Sequence, residues 1–150
     1  MKPEVAYLGF GGNLGDVQAT FSSAITLLAA HPSLVHKRSS ELYRTSPWGR
    51  PNQPEFLNFV EEIECNLSPE SLLEFVLSVE RRSGRNRKDQ TRWGPRTLDI
   101  DLLIMGDRIV NTPMLRLPHP RLHERKFVLQ PLAELCPDLL PPGLNRNIRE

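Results

Sequence analysis

Apolar and polar positions along the chain switch between two periods. Val5 to Phe10 is a short apolar run ending at Gly11-Gly12-Asn13, which reads as a strand leaving into a turn. From about Asp16 to Ala30, apolar Phe21, Ile25 and Leu28 recur at helical spacing until His31-Pro32 stops the pattern. Leu34 to Tyr43 predicts a second strand and Phe56 to Cys65 a third, separated by the proline-rich stretch Pro47 to Pro54. Ser68-Pro69 suits a helix start, with serine as N-cap and proline at the first helical position. Leu72, Val76 and Val79 then form a buried stripe up to Gly84. After a long basic stretch, Leu98 to Met105 predicts a fourth strand, Gly106-Asp107 a turn into Ile109-Val110, and Phe127 to Leu135 a last short helix. The order β-α-β-β-α-β predicts an α+β fold, a ferredoxin-like sandwich whose antiparallel sheet carries helices on one face and leaves the other free for a site. RNA-binding modules and polymerase palms share that topology, so it assigns no function.

The most informative segment is Arg92 to Leu103, RWGPRTLDIDLL, in and before the fourth strand. Residues two apart on a strand share a face. Leu98, Ile100 and Leu102 therefore point into the core, while Asp99 and Asp101 point together the other way, roughly 7 Å apart. Two neighbouring like charges call for cations, and Arg92 and Arg96 stand just upstream. Acid pair, arginines and basic loop together suit Mg²⁺ held on a polyphosphate. A strand with a polar solvent face, its acids balanced by Arg96, remains the alternative on these residues alone.

Composition limits what could carry such a site. The 150 residues are the usual length of one domain, here residues 1–150, and 39% hydrophobic with 25% charged is ordinary for a globular chain. No apolar run approaches the about 18 residues of a membrane span, and nothing at the N-terminus resembles a signal peptide, so a cytoplasmic protein without membrane contact is expected. Cys65 and Cys136 have neither CxxC nor Cys/His zinc spacing and are expected to be reduced thiols.

The net charge of +1 hides an asymmetry: Arg81, Arg82, Arg85, Arg87, Lys88, Arg92 and Arg96 stand against Asp89 alone. Charge packed into one loop fits a nucleoside triphosphate better than a nucleic acid, which needs a wider basic face. Arg81 and Arg82 also fit a simpler role, complementing the dipole at a helix end. Two familiar phosphate motifs are absent: Leu14 stands where the Rossmann fingerprint needs its third glycine, and no Gly-Lys pair forms a P-loop. Gly11-Gly12-Asn13 is expected to supply positive φ and cap the following helix. Trp93 either closes over a planar ligand as part of a lid or packs on the core. His119 and His123 are four apart, but the intervening proline disfavours a zinc-chelating helix face. Phosphate contacts suit His119 and Arg125.

With these residues the chain resembles a known family. Arg92 to Asp101, Gly11-Gly12-Asn13, Tyr43-Arg44-Thr45, Gln53 to Asn58, and Pro118-His119-Pro120-Arg121 through Leu132 together resemble 6-hydroxymethyl-7,8-dihydropterin pyrophosphokinases of folate biosynthesis, over nearly the whole length. The resemblance implies a ferredoxin-like enzyme that transfers pyrophosphate from Mg·ATP to the pterin hydroxyl, with AMP as by-product. Residue by residue, it implies that Asp99 and Asp101 ligate two Mg²⁺ ions, and that Arg85 and Arg96 act with them as catalytic groups of the phosphate region and lid. It places ATP against Glu80, Arg85, Lys88, Trp93, Arg96, Leu102, His119 and Arg125. It places the pterin against Thr45, Trp48, Phe56, Asn58, Asp99 and Phe127, with Phe56 and Phe127 stacking on its two faces and Asn58 bonding its edge. A monomer is expected. Gly12 stands where the family often has serine, Phe56 replaces a frequent tyrosine, and the basic loop is one residue longer than in some members. Two other classes remain open on the residues themselves: a palm-type two-metal nucleotidyl transferase, and a single-stranded RNA module, for which paired carboxylates would repel phosphate.

Overall fold

The computed structural model describes residues 3–13, 16–45, 55–82, 98–120, 122, 126–137 and 139. Five strands build the main sheet: β1 (Glu4–Gly12), β2 (Leu34–Ser39), β3 (Tyr43–Thr45), β4 (Phe56–Cys65) and β5 (Asp99–Met105). The order is β2-β4-β1-β5, all neighbours are antiparallel, and β3 pairs with β4 beyond the end of β2. Helices α1 (Val17–Ala29) and α2 (Pro69–Arg82) lie between strands in the chain, and α3 (Lys126–Leu135) follows a small hairpin of β6 (Val110–Asn111) and β7 (Arg116–Leu117).

Local chemistry sets the helix ends. Asp16 caps α1, its Oδ1 accepting the Ala19 N–H at 3.1 Å. Ser68 does the same for α2, accepting the Ser71 N–H at 3.1 Å, with Pro69 at the position whose N–H needs no partner. The cap at Asp16 overturns the expected role of the glycine turn. Gly11 and Gly12 belong to β1, and among the described residues only Gly106 has positive φ, at 53°. The predicted strand Leu34 to Tyr43 is two strands, and Ser40 carries the break. Its N–H donates to Val60 O at 2.8 Å and its Oγ accepts the Val60 N–H at 2.9 Å. Thus the chain leaves the ladder without orphaning a buried amide.

Two cores flank the sheet. On one face α1 and α2 bury Phe21, Leu28, Leu72, Val76 and Val79 against Leu8, Phe10, Phe59, Ile100 and Leu102. Phe10 and Phe59 stack at 4.5 Å between ring centres, with Phe21 edge-on to both. On the other face Tyr7, Val60, Leu103 and Ile104 pack with Leu122, Val128, Leu132 and Leu135. The expectation of helices on one face only is therefore corrected: α3 packs on the second face, against Tyr7, Val60, Leu103 and Ile104. A bulge permits this cover. Leu102 pairs with Leu8 and Ile104 with Tyr7, so Leu103 is the extra residue and both Leu103 and Ile104 reach the α3 side. Among the described residues no helix is long and apolar enough to cross a membrane.

One polar side chain interrupts the alternation of β4. Glu61 is 1% exposed, and its Oε2 meets no hydrogen-bond donor among the described residues. Burial pushes its pKa up to about 7. His36 Nε2 lies 3.4 Å from Glu61 Oε1, but that ring is 41% exposed and counts as an ionic partner only when protonated.

Candidate active site

Register across the sheet assembles the candidate site from four separate segments. Tyr43 of β3 lies opposite Asn58 of β4, Asn58 opposite Gly11 of β1, and Gly11 opposite Asp99 of β5. Residues paired across a ladder share a face, so these four form one row. The next row runs Val60, Gly9, Asp101. Both rows lie on the α3 side of the sheet, where Tyr7 and Val60 of the same strands pack against α3. Two inter-strand spacings separate Asn58 from Asp99, about 10 Å, and only backbone lies between them because position 11 has no side chain. The result is a trough with an amide on one bank and two carboxylates on the other.

The fit is close at Gly11. A Cβ built there would come 2.9 Å from Asn58 Oδ1, so the asparagine amide leans into the space a side chain would take. Asn58 is 7% exposed and held by its surroundings. Phe56 stands two residues before Asn58 on the same face, partly buried, opposite Thr45 of β3. Asp99 and Asp101 are likewise partly exposed on this face, while Leu98, Ile100 and Leu102 at 0%, 4% and 5% fill the opposite core as their alternation requires. The His119 N–H donates to Leu103 O at 2.8 Å, which docks that segment along β5 two residues beyond Asp101.

The structure shows the surroundings of two expected ATP contacts. The Leu102 side chain packs in the core under α1 and α2, on the side away from the trough, because it has the parity of Ile100 and not of Asp101. Glu80 is 3% exposed, and its Oε2 accepts the Ile100 N–H at 2.8 Å. Through that bond it grips the one residue between the two aspartates. Trp48, Arg85, Lys88, Trp93, Arg96 and Arg125 lie outside the described residues, as does the expected lid. For Thr45 and Phe127 only the backbone is described, in β3 and in the first turn of α3.

The oxygen donors of Asp99 and Asp101 on one strand face suit a hard cation such as magnesium. No group of three His, Cys, Asp or Glu able to hold a metal occurs among the described residues. Two carboxylates on one strand face are what Mg²⁺ takes from a protein when substrate phosphates and water complete its shell. The glycines of β1 are the residues of the candidate site that sequence reasoning missed. The available signal was their spacing: Gly9 and Gly11, two apart on a strand, must clear one face together.

Residues 7–137 match the model of the 7,8-dihydro-6-hydroxymethylpterin-pyrophosphokinase family. A Bacillus subtilis protein named 2-amino-4-hydroxy-6-hydroxymethyldihydropteridine pyrophosphokinase is 42% identical over 132 residues, 88% of this chain and 78% of that protein. One of the same name from Methylorubrum extorquens is 46% identical over 145 residues, covering 97% and 89%. Among solved structures, wild-type HPPK-DHPS of Plasmodium falciparum with pteroate superposes with a TM-score of 0.77 at 15% identity, over 99% of this chain and 41% of that one. At that identity the likeness speaks for the fold alone.

Proposed function

The chain belongs to the 7,8-dihydro-6-hydroxymethylpterin-pyrophosphokinase family, and from that premise we infer that it transfers the β,γ-pyrophosphoryl group of ATP to the hydroxyl of 6-hydroxymethyl-7,8-dihydropterin. The products are AMP and the pterin diphosphate, a step of folate biosynthesis. The observation that carries this reading in the chain's own residues is the row Asn58, Gly11, Asp99, with Asp101 beside it: an amide and a carboxylate pair on either side of a bare floor.

The trough suits a flat heterocycle. Asn58 offers both donor and acceptor to a pterin edge. Phe56 and Phe127 take the two ring faces, and Thr45 and Trp48 add backbone groups to the same slot. Asp99 and Asp101 would hold two Mg²⁺ ions with the triphosphate, and the metal would supply Lewis-acid stabilisation of phosphoryl oxygens and favour deprotonation of the attacking hydroxyl. The pterin oxygen bonds to the β-phosphorus as the bond from that phosphorus to the oxygen shared with the α-phosphate breaks, and AMP leaves. Arg85 and Arg96 neutralise charge at the transferring group, while Lys88, His119 and Arg125 hold the rest of the triphosphate. Trp93 closes over the site and excludes water. Glu80 steadies the β5 backbone from behind. The β2-β4-β1-β5 order with its two crossover helices is read as the ferredoxin-like arrangement, and residues 1–150 as one domain acting as a monomer in the cytoplasm.

Incubation with ATP, Mg²⁺ and the pterin alcohol, followed by nucleotide chromatography, tests the reading. AMP formed in step with a diphosphorylated pterin is expected. Release of pyrophosphate would instead indicate a palm-type nucleotidyl transferase, and single-stranded RNA binding without turnover would indicate an RNA module.

A further inference from the structure

Helix α3 is fastened to the sheet through its C-terminal half by two separate sets of bonds. In the first, Arg38 donates to Leu135 O at 2.7 Å and to Glu62 at 2.9 Å, and Glu62 also accepts the Tyr7 hydroxyl at 2.8 Å. In the second, the Glu134 carboxylate accepts the Tyr43 hydroxyl at 2.9 Å and the Glu41 N–H at 3.1 and 3.2 Å. The second set differs in what it touches. Tyr43 is in the row of Asn58, Gly11 and Asp99, and two residues on, Thr45 lies opposite Phe56. Glu134 therefore ties α3 to the strand that borders the trough. Phe127 lies in the first turn of the same helix, seven residues earlier, close to two full turns.

We propose that Glu134 is a positioning residue for the pterin slot: by clamping α3 to Tyr43 and Glu41, it sets the separation between the helix bearing Phe127 and the strand bearing Phe56 and Asn58. This rests on the slot described above. The physical need is tight tolerance, because a gap of about 0.5–1 Å on one side of a stacked ring forfeits a quarter to a half of the contact attraction. With Glu134 changed, Val128, Leu132 and Leu135 still bury α3 against the sheet and Arg38 still holds Leu135 O, so what is lost is the tie to Tyr43 and Glu41. The Glu134 bonds lie at the surface, so their loss is a small cost to folding and a larger one to slot geometry.

The test is steady-state kinetics on the full chain with Glu134→Ala, Glu134→Gln, Tyr43→Phe and Phe127→Ala. Glu134→Ala should raise the pterin KM by roughly tenfold, the scale of one or two hydrogen bonds to a charged group, with ATP KM changed less than about twofold. Tyr43→Phe should give a smaller rise in the same parameter. Glu134→Gln keeps an acceptor and should recover most of the loss. An unchanged pterin KM in Glu134→Ala, an equal rise for ATP, or a glutamine variant no better than alanine overturns the proposal. If Glu134→Ala does not fold, Tyr43→Phe decides by the same pterin-to-ATP comparison. Phe127→Ala separates the two readings. A raised pterin KM there beside normal Glu134→Ala kinetics removes the clamp alone, whereas a normal pterin KM there removes the slot and the clamp with it.

Discussion

Gly11→Ala is the most searching single change for the trough, because one methyl group separates binding from folding. The added Cβ would stand 2.9 Å from Asn58 Oδ1 and 3.9 Å from both Asn58 Cγ and Leu57 O. Only the amide oxygen is too close, so the asparagine must turn or withdraw by a few tenths of an ångström, and the methyl also occupies the floor. The backbone does not object. Gly11 is inside β1 with no positive φ, and alanine there spares about 0.5–1 kcal/mol of chain entropy that glycine loses on folding. Stability should stay level or rise slightly, while the pterin loses a well-placed hydrogen bond worth about 1–3 kcal/mol, roughly 5- to 150-fold in Kd. Calorimetry with the pterin and with Mg·ATP separately, beside a urea melt, reads all three quantities. Gly9→Ala is the internal comparison. Its Cβ meets the end of Leu103 at 3.3 Å, a leucine methyl that can yield, so its effect on the pterin should be smaller. A pterin Kd within about twofold of the parent in Gly11→Ala, or equal losses for pterin and ATP, would refute the trough as the pterin floor.

Asp101→Ala should lower kcat by several orders of magnitude with the fold intact by circular dichroism, since the carboxylate is partly exposed and its stabilisation belongs to the transition state; near-normal turnover at saturating Mg²⁺ would sink its role. Glu61→Gln addresses the buried carboxyl on the opposite face. Its pKa is about 7 in the fold against an ordinary 4.5, so between those values the folded state binds the extra proton and stability falls as pH rises, by about 3 kcal/mol across the window. Glutamine does not titrate, so urea unfolding should show the variant gaining on the parent from about pH 5 to about pH 8. A stability difference independent of pH would mean that Glu61 does not titrate there.

How much of this was legible beforehand depends on the range of the physics. The α1 and α2 boundaries, the turn at Gly106 and the partition of Asp99 and Asp101 from Ile100 and Leu102 follow from caps, backbone freedom and period-two alternation, all of which act within a few residues. The same locality misled at the glycine turn. Adjacent glycines before a helix suggest positive φ and a cap, yet antiparallel pairing on both sides of β1 drew them into the strand and left capping to Asp16. The family pattern places Glu80 on the ligand side, and the packing of α2 on β5 adds a bond that no local rule supplies, its grip on the Ile100 N–H.

By itself, then, the sequence determined which side chains each strand and helix sends to which of its own faces, and its acid pair and basic loop pointed to a phosphate-handling chemistry. The tertiary structure decided which faces meet. Asn58, Gly11 and Asp99 are far apart in the chain, and no local rule says that they share a row. That follows from strand register, chosen by the whole set of apolar residues that must be buried at once on both sides of the sheet. The same collective burial placed α3 on the second face, the one to which the row of Asn58, Gly11 and Asp99 belongs.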